Sequence, residues 1–139
     1  DQTPGISFVK DAADYLAYIK ALIALNPQVV HWVVVREESQ SNRGLFRYRL
    51  TLRDGGLLEM FESFQIMEKK LQVAKYSFHW QSKDGKLKIR WDNARHHPEL
   101  KTFPHHIHMG EDGNVKASAG IDLWEVLRIM ESEVKEGKG

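Results

Sequence analysis

A chain of 139 residues, 42% hydrophobic and 28% charged, has the make-up of one globular domain spanning 1–139. It has no cysteine, which excludes disulfides and thiolate metal sites, and a formal net charge of +1 says less about partners than the placement of the charges. Its longest apolar runs, such as 29–35, are far too short to cross a bilayer, and no basic-then-apolar leader follows Asp1. The expectation is a cytoplasmic protein, trimmed at its N-terminus, with no membrane partner.

Residues 7–25 carry Phe8, Ala12, Tyr15, Leu16, Ile19, Leu22 and Ile23 at helical spacing, which predicts a helix capped by Ser7 and stopped by Asn26-Pro27. Residues 29–35 (Val-Val-His-Trp-Val-Val-Val) are apolar on both faces, the pattern of a central, fully covered strand with His31 satisfied within the sheet. A polar turn is expected over 37–43. In 45–53, Phe46, Tyr48, Leu50 and Leu52 alternate with Arg47, Arg49, Thr51 and Arg53, so a strand there carries its arginines on one face. Asp54-Gly55-Gly56 predicts a three-residue hairpin loop that sets Leu52 near Leu58, Leu50 near Met60 and Phe46 near Phe64. That register leaves Glu62 awkwardly opposite Tyr48 on the apolar face, while Glu59 and Ser63 join the arginines.

In 71–82, Ala74, Tyr76, Phe78 and Trp80 alternate with Lys75, Ser77, His79 and Gln81. Asp84-Gly85 is a two-residue hairpin signal that pairs this strand with 86–92, setting Trp80 against Ile89 and Phe78 against Trp91. On the other face His79 meets Arg90 and Ser77 meets Asp92. The aromatics Tyr76, Phe78, Trp80 and Trp91 thus belong to the core and not to a base-stacking platform. A turn is expected over 111–114. Asp122 and Glu125 form a capping box for a last helix over 123–135, with Leu123, Val126, Leu127, Met130 and Val134 as its apolar stripe. The sum is an α+β fold, a mainly antiparallel sheet of about five strands flanked by an N-terminal and a C-terminal helix that cover its apolar face.

Chemistry concentrates in 90–108, where five of the seven histidines stand beside Arg90, Asp92, Asn93 and Arg95. Imidazole titrates near neutrality and ligates metals, so the catalytic candidates are His79, Arg90, Asp92, His96, His97, His106 and His108. The open sheet face collects Arg47, Arg49, Arg53, Lys75 and Lys88, with Arg95 at its edge, as a surface for a phosphate backbone. Metal-free RNA cleavage needs one histidine to take the ribose 2′-OH proton, another group to protonate the leaving 5′-oxygen, and a guanidinium to hold the phosphorane charge. Arg90 suits the last task, Asp92 can orient a histidine, and no cofactor is required. The rival is a metal-dependent nuclease or phosphoesterase at the same residues. His106 and His108, two apart, project to one side of a strand, and Asp92 or His97 completes a set that zinc or manganese would accept. No H-E-x-x-H or other diagnostic metal spacing is present. A third reading is a non-enzymatic nucleic-acid-binding module whose histidines only shape a solvated loop.

The run Arg90-Trp91-Asp92-Asn93-Ala94, then His96-His97-Pro98, then Phe103-Pro104-His105-His106-x-His108 resembles the signature of the TumE-type toxins of prokaryotic toxin–antitoxin modules. The resemblance extends over about 29–130 and includes the Tyr76-x-Phe78-x-Trp80 strand; Trp91 stands where an aromatic such as Tyr is usual. The Asp-Asn and double-His elements are its specific part, and the flanking strands are generic. The matching positions are Arg90, Asp92, Asn93, His96, His97, Pro98, His105, His106 and His108. The resemblance implies a small toxin neutralised by direct binding of a cognate antitoxin protein, and RNA as its target follows by analogy with the general habit of such toxins.

Overall fold

Nine elements, all but one connected by short turns or loops, make up the chain in the computed structural model, which describes residues 9–95, 97–110 and 114–137. They are α1 (Ala12–Leu25), β1 (Val29–Gln40), β2 (Arg43–Leu52), β3 (Leu57–Met67), β4 (Lys70–Gln81), β5 (Leu87–Asp92), β6 (His106–Met109), β7 (Asn114–Ala117) and α2 (Leu123–Lys135). The strands form one antiparallel sheet whose spatial order, β1 to β7, is the order of the sequence. The class is α+β as expected, with seven strands where about five were expected. The surplus comes at the far edge, where β6 and β7 are four residues each, too short for alternation to announce them.

Both helices pack on one face of the sheet. The helix α1 buries Ala12, Tyr15, Leu16, Ile19 and Ile23, and α2 buries Leu123, Val126, Leu127, Met130 and Val134. These meet Phe46, Tyr48, Leu50, Leu58, Met60, Phe78, Trp80 and Trp91 in a single core. Tyr15 of α1 packs edge-on against Phe64 of β3 at 4.5 Å and reaches Trp124 of α2 at 6.5 Å. The cap of α1 is Asp11, whose carboxylate accepts the Asp14 amide, so the helix opens later than its apolar spacing suggests; Ser7 and Phe8 lie outside the described residues. The cap of α2 is Asp122, which accepts the Glu125 amide at 2.9 Å as expected. Of the turn expected over 111–114, the first three residues lie outside the described residues.

Three expectations for these strands are corrected. The valine-rich run of β1 is not central; it is an edge strand, and Val30, Val33, Val34 and Val35 are exposed along with His31. The polar turn expected over 37–43 shrinks to Ser41-Asn42, because 37–40 stay in the ladder opposite 43–46. Glu37 earns its place there by accepting the Tyr48 hydroxyl and pairing with Lys20 at 3.0 Å. The β2–β3 hairpin keeps its faces but not its partners. Leu50 pairs with Leu58, Tyr48 with Met60 and Phe46 with Glu62, a shift of two from the expected register. The loop has three residues as expected, but it is Arg53-Asp54-Gly55, closed by the Leu52 amide on the Gly56 carbonyl, with Gly55 at φ +90°. A three-residue loop needs a left-handed third residue, and glycine takes it without strain.

The β4–β5 hairpin has its expected partners away from the turn, where Ser77 faces Asp92, Phe78 faces Trp91, His79 faces Arg90 and Trp80 faces Ile89. Its loop is not the expected two residues but three, Lys83-Asp84-Gly85, closed by the Ser82 amide on the Lys86 carbonyl, and a bulge before Ile89 absorbs the difference. Tyr76, Phe78, Trp80 and Trp91 are in the core.

Glu62, the misfit of the apolar face, is fully buried, and Tyr15 donates a 2.6 Å hydrogen bond to it. Burial raises its pKa from 4.5 to about 7, with the Tyr15 bond opposing and Asp122 adding to the rise. The native state therefore holds a proton that the unfolded chain releases above 4.5. Stability from the neutral acid is complete below that pH and is lost as pH rises through about 7, a change of about 3 kcal/mol. Thermal melts from pH 5 to 8 should show the melting temperature of the wild type falling, and Glu62→Gln should flatten that slope.

Candidate functional site

Strand alternation builds the site. On β5, Ile89 and Trp91 face the helices, so Arg90 and Asp92 face the open side. The pairing of β6 with β5 sets Arg90 opposite His108 and Asp92 opposite His106. Two polar rows then cross the sheet, one through Arg49, Glu59, His79, Arg90 and His108, the other through Arg47, Phe61, Ser77, Asp92 and His106. Neighbours within a row stand about 4.8 Å apart, the spacing of strands in a sheet.

Between β5 and β6, Asn93, Ala94, Arg95 and Pro104 border the end of these rows. Asn93 anchors the start of the segment 93–105 by accepting the Tyr76 amide at 2.9 Å and donating to the Ala74 carbonyl at 3.0 Å, so its side chain extends the β4 ladder past the end of β5. Thr102 anchors the far end, donating to the His105 carbonyl and accepting the Ser118 amide. The Arg95 guanidinium lies 4.7 Å from the centre of the Phe103 ring.

Asp92 and His106 are each 2% exposed. Asp92 accepts from Arg90 Nε at 3.0 Å and from the Ala94 amide at 3.0 Å, lies 2.7 Å from His106 Nε2, and has His108 Nε2 at 3.6 Å. His106 Nδ1 lies 3.0 Å from the Pro104 carbonyl oxygen. A carbonyl only accepts, so Nδ1 carries a hydrogen and Nε2 is the nitrogen presented to Asp92. The rings of His97, His106 and His108 pack edge-on, with centroids 5.1, 6.2 and 5.0 Å apart. Burial lowers the His108 pKa; Asp92 pulls it back up, and Arg90, His106 and His97 push it further down. Asp92, His106 and His108 are the described residues whose ligand atoms, all within 4.8 Å of one another, can hold a metal ion.

Beside the cluster a cleft of about 1050 Å³ opens along the sheet, lined by Arg47, Arg49, Lys75, His79, Arg90 and Arg95 among others. Glu59 tempers its charge, pairing with Arg47 at 2.8 Å and Arg49 at 2.9 Å.

Two basic residues expected on this face lie elsewhere. A bulge between the Trp80–Ile89 and Gln81–Leu87 pairs turns Lys88 out of the alternation, so its ammonium sits 4.3 Å from the centre of the Trp80 ring and 3.9 Å from Glu133 of α2, on the helix side. Arg53 follows the end of β2, where it donates to the Pro27 carbonyl at 3.1 and 2.7 Å. His105 also faces away from the cluster, its Nδ1 2.8 Å from the Tyr76 hydroxyl. His96 lies outside the described residues. Phe61 went unremarked in the sequence although it shares the alternation of Glu59 and Ser63; its ring carries the Arg47 guanidinium at 4.8 Å.

The fold and site together define a two-faced α+β protein, with helices on one side of a meander and a histidine–carboxylate cluster beside a basic cleft on the other. The chain belongs to the toxin TumE family, whose model matches residues 19–136. No curated protein and no solved structure gives a match. Among the described residues no helix is long and apolar enough to cross a membrane.

Asn93→Ala should cost about 1–3 kcal/mol by leaving the Tyr76 amide and the Ala74 carbonyl without partners. Urea denaturation of the variant measures this directly.

Proposed function

We propose that this toxin cleaves RNA and forms a pair with an antitoxin protein that neutralises it by direct binding. The observation that carries the reading is the position of Arg90, at once part of the basic cleft and bonded through Nε to the carboxylate at the centre of the histidine cluster. A phosphate backbone laid along Arg47, Arg49, Lys75 and Arg95 brings one phosphodiester to Arg90, whose planar fork suits a phosphate. At 41% exposure the Arg90 side chain is open to solvent while Asp92 fixes its direction.

In the reaction the ribose 2′-oxygen attacks phosphorus and the bond to the 5′-oxygen breaks. The 2′-OH proton passes to a base of the cluster, a second, protonated group of the site gives a proton to the leaving 5′-oxygen, and the products end in a 2′,3′-cyclic phosphate and a 5′-hydroxyl. Arg90 stabilises the phosphorane charge. Of the cluster's imidazoles, His108 and His97 are 22% and 31% exposed and open to solvent, whereas His106 is buried. His79 lies next to Arg90 in its row and contacts the same phosphate or its neighbour.

Expression of the chain alone should arrest a bacterial host, and the product of the adjacent gene should relieve the arrest. With purified protein, Arg90→Ala should slow RNA cleavage by about 100-fold or more, the size of one lost charge-stabilising donor. Paired substitution of Arg47 and Lys75 should instead weaken RNA binding and reduce its dependence on salt. Mass spectrometry of the RNA ends checks the chemistry. Normal growth at verified expression, or no cleavage of any RNA offered, would sink the reading.

A further inference from the structure

We propose that Asp92, His106 and His108 form a binding site for one divalent first-row transition-metal ion of the zinc class. The site is the cluster of the ribonuclease reading, and the proposal takes up the metal-dependent rival that the sequence offers at the same residues.

The first ground is the contact between His106 and Asp92. Nδ1 of His106 is committed as a donor to the Pro104 carbonyl, so Nε2 meets the carboxylate oxygen at 2.7 Å with either a second ring proton or another cation to join them. An imidazole that donates Nδ1–H to a backbone carbonyl and turns Nε2 toward a carboxylate is oriented as metal-ligating histidines are, with its tautomer already chosen. The second ground is the packing of the rings. His106 and His108 both present Nε2 to Asp92, and the His97 ring packs edge-on against both of them.

The third ground is that the carboxylate is prepared from outside. Arg90 Nε and the Ala94 amide hold Asp92 in place, and the Asn93 anchor fixes the backbone that follows. Outer contacts of this kind orient ligands and tune a metal centre. The donor set, imidazole nitrogen with carboxylate oxygen and no sulfur, suits zinc, manganese or iron(II) and discriminates against magnesium, which prefers oxygen ligands. Two histidines and one carboxylate leave at least one coordination position for water. A water bound to such an ion would be a base near neutral pH.

The full-length chain, stripped with chelator and checked for fold by circular dichroism, would be titrated with Zn²⁺ against a chromophoric competitor, and with Co²⁺ while recording visible absorption. One equivalent per chain is expected, with Co²⁺ bands of a low-symmetry nitrogen–oxygen site and no displacement by millimolar Mg²⁺. His108→Ala, at a part-exposed position, should weaken Zn²⁺ binding by more than about 100-fold, the upper end of what loss of even an outer-shell partner costs. Asp92→Asn should weaken it too, and His31→Ala on the exposed edge strand should not. Absence of stoichiometric binding would overturn the proposal, as would unchanged affinity in folded His108→Ala. No readout uses RNA, so a failed metal site and a failed ribonuclease reading are seen separately.

Discussion

A carboxylate removed from water must be compensated or it will not stay ionised where it is. Asp92 is such a group, and the local architecture can be read as its compensation. It draws Arg90 in along its own strand, the Ala94 amide from the turn that follows, and His106 across the ladder. Each partner comes from a different backbone segment, so satisfying one charge fixes the end of β5, the start of the segment 93–105 and the register of β6. Deleting the carboxylate would therefore release more than one hydrogen bond. It would leave a buried imidazole facing Arg90 with no counter-charge between them.

The sheet keeps two incompatible jobs apart by strand alternation alone. Both helices lie against one face, where the aromatic residues of β4 and β5 are buried. The other face is free to carry arginines, Glu59 and the cluster. Glu62, a carboxyl fully buried on the helix face, is tolerated because Tyr15 donates to it and burial favours its neutral form. The two carboxyl groups thus solve burial differently, Glu62 by holding its proton and Asp92 by gathering donors.

Which parts were legible in the sequence follows from which interactions are local. The β4–β5 hairpin was legible in its partners though not in its loop: the alternation on either side of Asp84-Gly85 agrees on one register, and the bulge at Lys88 offsets the extra loop residue. From that register the neighbours His79–Arg90 and Ser77–Asp92 follow at once. The β2–β3 hairpin was legible in its faces but not its partners. Two adjacent glycines allow two loop positions, and nothing local says that Gly55 takes the left-handed place. The run of β1 misleads because β-branched residues read alike on a covered strand and on an edge, and the difference lies in what other segments do. Lys88 defeats alternation because a single extra residue inverts the face it occupies. His106-x-His108 was readable as a same-side pair, but its seat opposite Asp92 and Arg90 depends on how 93–105 folds back, which no spacing encodes.

The sheet's order also has a kinetic side. In an unbroken meander every strand pairs with its neighbour in sequence, so each addition closes only a short loop, and the entropy of doing so is small. The exception is the step from β5 to β6, where the intervening 93–105 must be spanned before Asp92 can meet His106. The chain thus places its longest strand-to-strand closure at its chemistry. The scaffold from β1 to β5 can assemble by successive hairpins, whereas the cluster exists only once that last, costlier loop has closed.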